Sequence, residues 1–178
     1  MVVGPASEDE VVRPVDLGIR WDMGAPLPHL LQAEGRAFLA FYLPDSEPGW
    51  DGTMVQVVDP ASPASASIGI VTWSPCRVAV LGPPNDEAIT GHRLWERGLR
   101  DIEPYSAAEV LNSAWIASHE RANRVHRRHN PQRYASLRHY VLLFHDSTFE
   151  CLVEGYTVQT VFDAMPNVLA RLARQLVE

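Results

Sequence analysis

The segment His139–Glu150, with the sequence HYVLLFHDSTFE, holds the residue types that general acid–base chemistry needs. Strand alternation on either side of a turn at Asp146-Ser147 predicts that His145, Asp146 and Glu150 lie close in space. A carboxylate beside a histidine fixes the tautomer of the ring and raises its basicity. We therefore predict that His145 is a catalytic acid or base oriented by Asp146 or Glu150. The alternative is ordinary Asp-Ser turn chemistry that His145 only flanks.

A second candidate is the loop that begins GPPNDEA at Gly82. Its two prolines would hold Asn85, Asp86 and Glu87 at the mouth of a site, where we expect them to bind a ligand. His92 follows closely and is the other candidate catalytic acid or base. The alternative is local, because Asn85 could cap a short helical turn with both acidic residues at its positive end.

The third candidate lies on a predicted helix. Ser106, with Glu109 three residues later, has the pattern of a capping box, so a long central helix is predicted from Ser106 to about Arg128. One strip of this helix lies at the border between its buried and its exposed side, and we call this strip the shoulder. The shoulder could line a ligand-binding cleft, or it could be a half-exposed helix flank without a ligand. The ligand-binding candidates on this shoulder are Asn112, Trp115 and His119.

Metal and cofactor chemistry find little support. His126 and His129 are spaced as metal ligands on a helix, but flanking arginines disfavour a dication, so no metal is predicted. All 15 basic residues are arginine, which excludes Schiff-base and P-loop lysine chemistry. No G-x-S-x-G, dinucleotide-binding or H-E-x-x-H motif occurs, and no cofactor is predicted.

The first half of the chain predicts the sheet that must position these residues. Strands are expected over residues 36–44 and 53–59, followed by SIGIVTW and CRVAVLG with a turn at Ser74-Pro75. Strands that follow one another without intervening helices favour an antiparallel sheet. Residues 82–105 are expected to be a long, mostly irregular segment, and such segments are often functional.

After the central helix, three strands are predicted as a meander that turns at Asp146-Ser147 and at Glu154-Gly155. A last helix would begin with Asp163 as its N-cap and pack on the sheet. The apolar stripe of this helix comprises Met165, Val168, Leu169, Leu172 and Leu176.

The predicted fold class is therefore α+β: an antiparallel β-sheet of about six or seven strands, with a long central helix and a C-terminal helix packed on it. Residues 1–16 are expected to form a flexible acidic N-terminal arm. Residues 17–178 would then form a single α+β domain, which suits a chain of 178 residues.

Composition restricts the partners. The formal net charge is −7, although residues 91–138 carry nine arginines against five acidic residues. An acidic protein with one basic segment is a poor nucleic-acid binder, so no nucleic acid is expected. No apolar run is long enough to span a membrane, and the start of the chain lacks a signal peptide, so we expect a cytoplasmic location with Cys76 and Cys151 as buried free thiols. The use of arginine alone suggests a GC-rich bacterial source.

The segments GAPLP, FLAFYL, GPPNDEA, NSAWI and HYVLLFHDSTFEC resemble those of uncharacterised small bacterial proteins. The resemblance covers most of residues 18–155. It implies a single shared domain, but it implies no activity and no catalytic residue.

Together these patterns predict a small enzyme or ligand-binding protein. It would act on a polar small molecule by His/carboxylate acid–base chemistry, in a pocket between the Gly82–His92 loop, the central helix and the His145 hairpin. The alternative is a non-catalytic interaction or regulatory accessory protein with Trp50 and Trp95 as contact anchors. A homodimer is compatible with either.

Overall fold

The computed structural model describes residues 10–44 and 59–177. Within these ranges the chain forms eight strands and three α-helices. The strands are β1 (Val11–Val15), β2 (His29–Ala33), β3 (Gly35–Tyr42), β4 (Ala66–Gly82), β5 (Ala107–Leu111), β6 (Arg138–Leu143), β7 (Thr148–Val153) and β8 (Tyr156–Asp163). The α-helices are α1 (Ala114–Asn123), α2 (Gln132–Ala135) and α3 (Met165–Gln175). Three 3₁₀ helices, Asp86–Gly91, Trp95–Arg97 and Leu99–Asp101, lie between β4 and β5, and we call residues 86–101 the 3₁₀ segment.

All the described strands belong to one antiparallel sheet in the order β1-β5-β6-β7-β4-β3-β2, with β8 paired to β4. The predicted α+β class and antiparallel sheet are confirmed, and eight strands exceed the six or seven expected. The strand predicted over residues 53–59 and the anchor Trp50 fall in or beside the undescribed stretch 45–58.

Two predicted chain reversals are absent. Strand β4 runs without reversal through Ser74-Pro75, pairing with β8 along its first half and with β7 along its second half. Strands β7 and β8 therefore run in the same direction along β4, and Glu154-Gly155 does not turn a meander. The two interruptions face each other, because the Ser74 amide donates to Gly155 O at 3.0 Å and the Glu154 amide donates to Pro75 O at 3.0 Å.

The predicted long central helix is wrong. Its first part is strand β5, which pairs with β1 on one side and β6 on the other, and only residues 114–123 form helix α1. Ser106 and Glu109 are not a capping box, since Glu109 is buried in β5 and its carboxylate binds Arg13 and Arg138. Ser113 caps α1 instead, accepting a hydrogen bond from the amide of Ile116.

The predicted C-terminal helix is confirmed as α3. Its apolar stripe packs on one face of the sheet, where Met165, Val168 and Leu172 are buried. The N-cap position is Ala164 rather than Asp163, although the Asp163 carboxylate still accepts hydrogen bonds from the Ala164 amide and the Asn167 side chain.

At β3 both faces of the sheet are buried, which is why this strand reads as a continuous apolar run. One face carries an aromatic core that includes Phe41, Trp73, Tyr140 and Phe149. Helix α3 covers the opposite face at the β3 end. The 3₁₀ segment covers that opposite face at the β5–β6 end, with Leu94 and Leu99 packed on apolar residues of these strands.

The N-terminal arm was predicted to extend to residue 16, but residues 11–15 are strand β1 and Glu10 is buried. The 3₁₀ segment approaches this strand closely at Gly98, which has a φ of +107°, and a Cβ there would lie 3.0 Å from Val12 O. Residues 1–9 lie outside the described part. Within the described residues every helix is too short or too polar to span a bilayer.

Candidate functional site

Two groups of polar side chains lie where the 3₁₀ segment meets the sheet, and strand β7 contributes to both. Thr148 and Glu150 point to the same face of β7, the face covered by the 3₁₀ segment. Thr148 lines a cavity, whereas Glu150 is the centre of a hydrogen-bond network. We call the second group the buried network; its members are Glu10, His92, Arg93, Ser113, His139 and Glu150.

Glu150 accepts hydrogen bonds from three side chains of the buried network. His92 Nε2 lies 3.2 Å from Oε1, while His139 Nε2 at 2.9 Å and Arg93 Nη2 at 3.2 Å share Oε2. Burial alone would raise the pKa of the Glu150 carboxyl, but hydrogen bonds from His139 and His92 outweigh it and hold the pKa well below its ordinary value. Glu150 is therefore ionised at neutral pH.

The network fixes the tautomer of His92. The Leu94 amide donates to Nδ1 at 3.2 Å, so Nδ1 carries no proton and Nε2 must donate to Glu150. Both ring nitrogens are thus engaged and the ring is buried. In this state His92 holds Glu150 in place. Neither ring nitrogen is available to exchange a proton with a ligand, so the structure places His92 differently from its predicted catalytic role.

His139 is the most deeply buried titratable group of the network, with no exposed surface. Its Nδ1 lies 2.9 Å from Ser113 Oγ and its Nε2 lies 2.9 Å from Glu150 Oε2. Burial lowers the pKa of His139, against the opposing effect of Glu150. The Trp115 ring and the imidazole pack edge to face, with centroids 5.2 Å apart. His139 is therefore neutral at neutral pH and bridges the serine and the carboxylate.

Glu10 closes the network at the N-terminus of α1. Its carboxylate accepts from the Ala114 amide at 3.0 Å and from Arg93 Nη1 at 3.2 Å. A carboxylate at this end of a helix is favoured by the helix dipole. Because Arg93 binds both Glu10 and Glu150, it links the start of β1 to β7.

The cavity has a volume of about 190 Å³ and is lined by residues along the 3₁₀ segment, from Asp86 to Arg100, together with residues 102–105 and the β6–β7 hairpin. Most of its wall is apolar: Ile89, Trp95, Leu99, Ile102, Leu143 and Phe144. Its polar lining residues are Asp86, Arg100, Tyr105 and Thr148. Two of these are already engaged, since Thr148 Oγ1 donates to Pro84 O at 2.9 Å and Arg100 pairs with Glu96 at 3.1 Å.

Asp86 is the distinctive polar group of the cavity lining. Its Oδ2 accepts from the Tyr105 hydroxyl at 2.9 Å, while its Oδ1 is buried with no hydrogen-bond partner among the described residues. Burial, and then the hydrogen bond to Asp86, raise the pKa of Tyr105, so its phenol stays protonated. A carboxylate oxygen without a partner can accept a hydrogen bond from a bound molecule.

His145 lies beside this cavity. Its ring stacks on Tyr105 with centroids 6.3 Å apart, and its Nε2 is 3.8 Å from Asp86 Oδ2. The hydrogen bond from its Nδ1 to Asp146, at 3.0 Å, and the negative charge of Asp86 raise the pKa of His145 above its ordinary value. The predicted pairing of His145 with Asp146 thus appears in the structure, whereas Glu150 belongs to the buried network.

The remaining predicted ligand-binding residues are divided between several places. Asn85 caps the first 3₁₀ helix, with its side chain accepting from the Ala88 amide, and Glu87 is exposed on that helix. Trp115 and His119 pack edge to face on α1, next to His139. Asn112 is exposed, with a left-handed φ of +52°, between β5 and α1. The cavity is lined by the 82–105 region and the His145 hairpin, but not by α1.

Sequence reasoning overlooked Tyr105, Ser113, His139, Arg93 and Glu10. Ser113 follows a buried strand and precedes a helix, and the predicted central helix concealed this position.

Within the described residues no group of three or more His, Cys, Asp or Glu side chains is arranged to hold a metal ion. In comparisons with known proteins, no family model, no curated protein and no solved structure matches this chain.

Proposed function

We propose that this protein binds a small, largely apolar molecule carrying a cationic or hydrogen-bond-donating group, and that His145 exchanges a proton with it. The observation that carries the proposal is the buried Oδ1 of Asp86, which has no hydrogen-bond partner within residues 10–44 and 59–177 and belongs to a residue that lines an apolar cavity. Such an oxygen costs free energy until a donor reaches it, so a ligand that supplies the donor gains affinity.

The size of the cavity supports a ligand of about one ring. A cavity of about 150 Å³ with apolar walls holds one benzene molecule. The cavity here is somewhat larger, at about 190 Å³, and has one polar end. This favours a more apolar ligand than the polar molecule expected from the sequence.

His145 is the residue best suited to proton transfer. Its side chain is partly exposed, and Asp146 fixes one ring nitrogen while the other faces Asp86. A histidine whose pKa is raised can donate a proton near neutral pH. In this proposal Asp146 orients the ring and Asp86 binds the ligand.

The alternative role, as an interaction or regulatory protein, has weaker support. Trp95, one of its two expected anchors, lines the cavity instead of forming an exposed patch.

We also propose that the protein is located in the cytoplasm. The two buried free thiols, Cys76 and Cys151, support this location, because thiols stay reduced there.

Thermal unfolding with simple probes tests the proposal. Benzylamine, which joins a ring to an ammonium group, should raise Tm, whereas benzoate should not. Asp86→Asn should abolish the effect of benzylamine, and Glu87→Gln, a change of the neighbouring exposed carboxylate, should preserve it. Equal stabilisation by benzylamine in the wild type and in Asp86→Asn would refute the role of Asp86.

A further inference from the structure

The buried network contains a continuous relay from a serine through a histidine to a carboxylate. Ser113 Oγ, His139 Nδ1, His139 Nε2 and Glu150 Oε2 are joined by two hydrogen bonds of 2.9 Å each. We propose that Ser113 is a nucleophile for acyl transfer from esters, with His139 as its general base and Glu150 as the positioning residue. This proposal does not depend on ligand binding in the cavity.

The hydrogen-bond partners of Ser113 determine the direction in which its hydroxyl proton points. The Ile116 amide donates to Oγ at 3.2 Å, so this oxygen is already an acceptor there. The ionised Glu150 accepts a hydrogen bond from His139 Nε2–H, so the proton of the neutral ring is on Nε2 and Nδ1 has a free lone pair. The serine proton therefore points at Nδ1, which is the arrangement that activates a serine nucleophile.

The backbone places Ser113 as nucleophilic serines are often placed. Strand β5 ends at Leu111, Asn112 turns the chain with a φ of +52°, and Ser113 is the N-cap residue just before α1. A sharp strand-to-helix turn presents the hydroxyl at the positive end of a helix, where developing negative charge is stabilised. The imidazole is used in the opposite sense to the familiar triad, with Nδ1 facing the serine and Nε2 the carboxylate.

The reaction has two balanced halves. The Ser113 oxygen bonds to the ester carbonyl carbon, its proton moves to His139 Nδ1, and the carbonyl electron pair moves to oxygen. The tetrahedral intermediate then expels the alcohol, which takes the proton from Nδ1 and leaves an acyl-serine. Water attacks this ester in the same way, giving the acid and restoring Ser113.

Glu10 occupies the amide that would stabilise the oxyanion. Its carboxylate accepts from Ala114 N–H, the first amide after the serine, and is held there by Arg93. The oxyanion of the intermediate would replace this carboxylate on the same donor. Ser113 is only 5% exposed, so small acyl groups are the expected substrates.

Covalent labelling of the full chain tests the proposal. With p-nitrophenyl acetate we expect a burst of one nitrophenol per chain and an acetyl group on Ser113 by peptide mass spectrometry. The small probe diisopropyl fluorophosphate should label the same residue once.

Two variants distinguish a nucleophilic Ser113 from a Ser113 that only caps helix α1. His139→Asn, checked for folding by circular dichroism, should acylate about a hundredfold more slowly, as expected for loss of a general base. Ser136→Ala, a change of an exposed serine, should label like the wild type. If neither probe modifies Ser113 in the folded wild-type protein, or if the label lies elsewhere, the proposal is overturned and the relay is structural.

Discussion

His139 and Glu150 are joined by a hydrogen bond of 2.9 Å between Nε2 and Oε2, along a diagonal between strands β6 and β7, since His139 pairs with Leu152 and Glu150 pairs with Val141. The chain reverses between them, and the hairpin that makes this reversal also carries His145. One hairpin thus supplies the centre of the buried network and the titratable group beside the cavity.

Replacing Glu150 by glutamine should destabilise the protein by about 2 kcal/mol, because an amide has a single acceptor oxygen and cannot accept all the hydrogen bonds that His92, His139 and Arg93 donate to the two carboxylate oxygens. Urea unfolding followed by circular dichroism measures the change. Glu154→Gln, a change of an exposed residue just after β7, is the matched control and should be nearly neutral. Equal midpoints for the two variants would show that the network contributes little.

Stability should fall as the pH drops below about 6.5, the ordinary pKa of histidine. Burial lowers the pKa of His139, so the unfolded chain takes up a proton before the folded chain does. The lowered pKa of Glu150 adds a loss of the same sign at more acid pH.

The raised pKa of His145 acts in the opposite direction, because its contribution is present at low pH and is lost as the pH rises through the folded pKa. The His145→Asn variant lacks this opposing contribution, so the fall in its free energy of unfolding at acid pH should be larger. Urea unfolding between pH 8 and pH 5, in steps of about one unit, measures this fall. A free energy of unfolding that stays constant or rises towards pH 5 in this variant would be inconsistent with a neutral, buried His139.

His145 should titrate above the ordinary histidine pKa of about 6.5 in an NMR titration of the ring protons. The hydrogen bond to Asp146 is the main cause, so Asp146→Asn should lower this pKa by more than Glu87→Gln, whose charge is the smaller cause. A pKa for His145 at or below the ordinary value would remove the support for its role as a proton donor.

Replacing Glu109 by glutamine should loosen strand β1. The buried carboxylate binds Arg13 of β1 at 2.7 Å and Arg138 of β6 at 2.9 Å, and so connects three strands. We expect a loss of about 1–2 kcal/mol and faster hydrogen exchange in residues 11–15. Glu103→Gln, at an exposed position, serves as the control, and unchanged exchange in β1 would show that the ion pairs are not what holds it.

The fold class could be predicted because strand and helix periodicities are local. The α3 stripe and the hairpin at Asp146-Ser147 are read directly from neighbouring residues. The prediction of a helix for residues 106–111 was wrong, because the S-x-x-E pattern there matches that of a capping box. Their burial between β1 and β6, which depends on residues far away in the chain, decides for a strand.

The candidate site could be predicted only in part, for the same reason. The pairing of His145 with Asp146 is local and was anticipated, whereas the assignment of Glu150 depends on which face of β7 the 3₁₀ segment covers. Ser113 and Glu10 reach the network through tertiary contacts that span 26 residues to His139 and 104 residues to Ala114. No spacing in the sequence encodes such contacts.

The most direct measurement is an NMR titration of the isotopically labelled protein with benzylamine. Binding in the cavity predicts intermolecular nuclear Overhauser effects from the ring to the methyl groups of Ile89, Leu99 and Ile102, together with a shifted titration of His145. If benzylamine gives no such contacts at saturating concentration, or gives them equally in Asp86→Asn, the proposed binding site is contradicted.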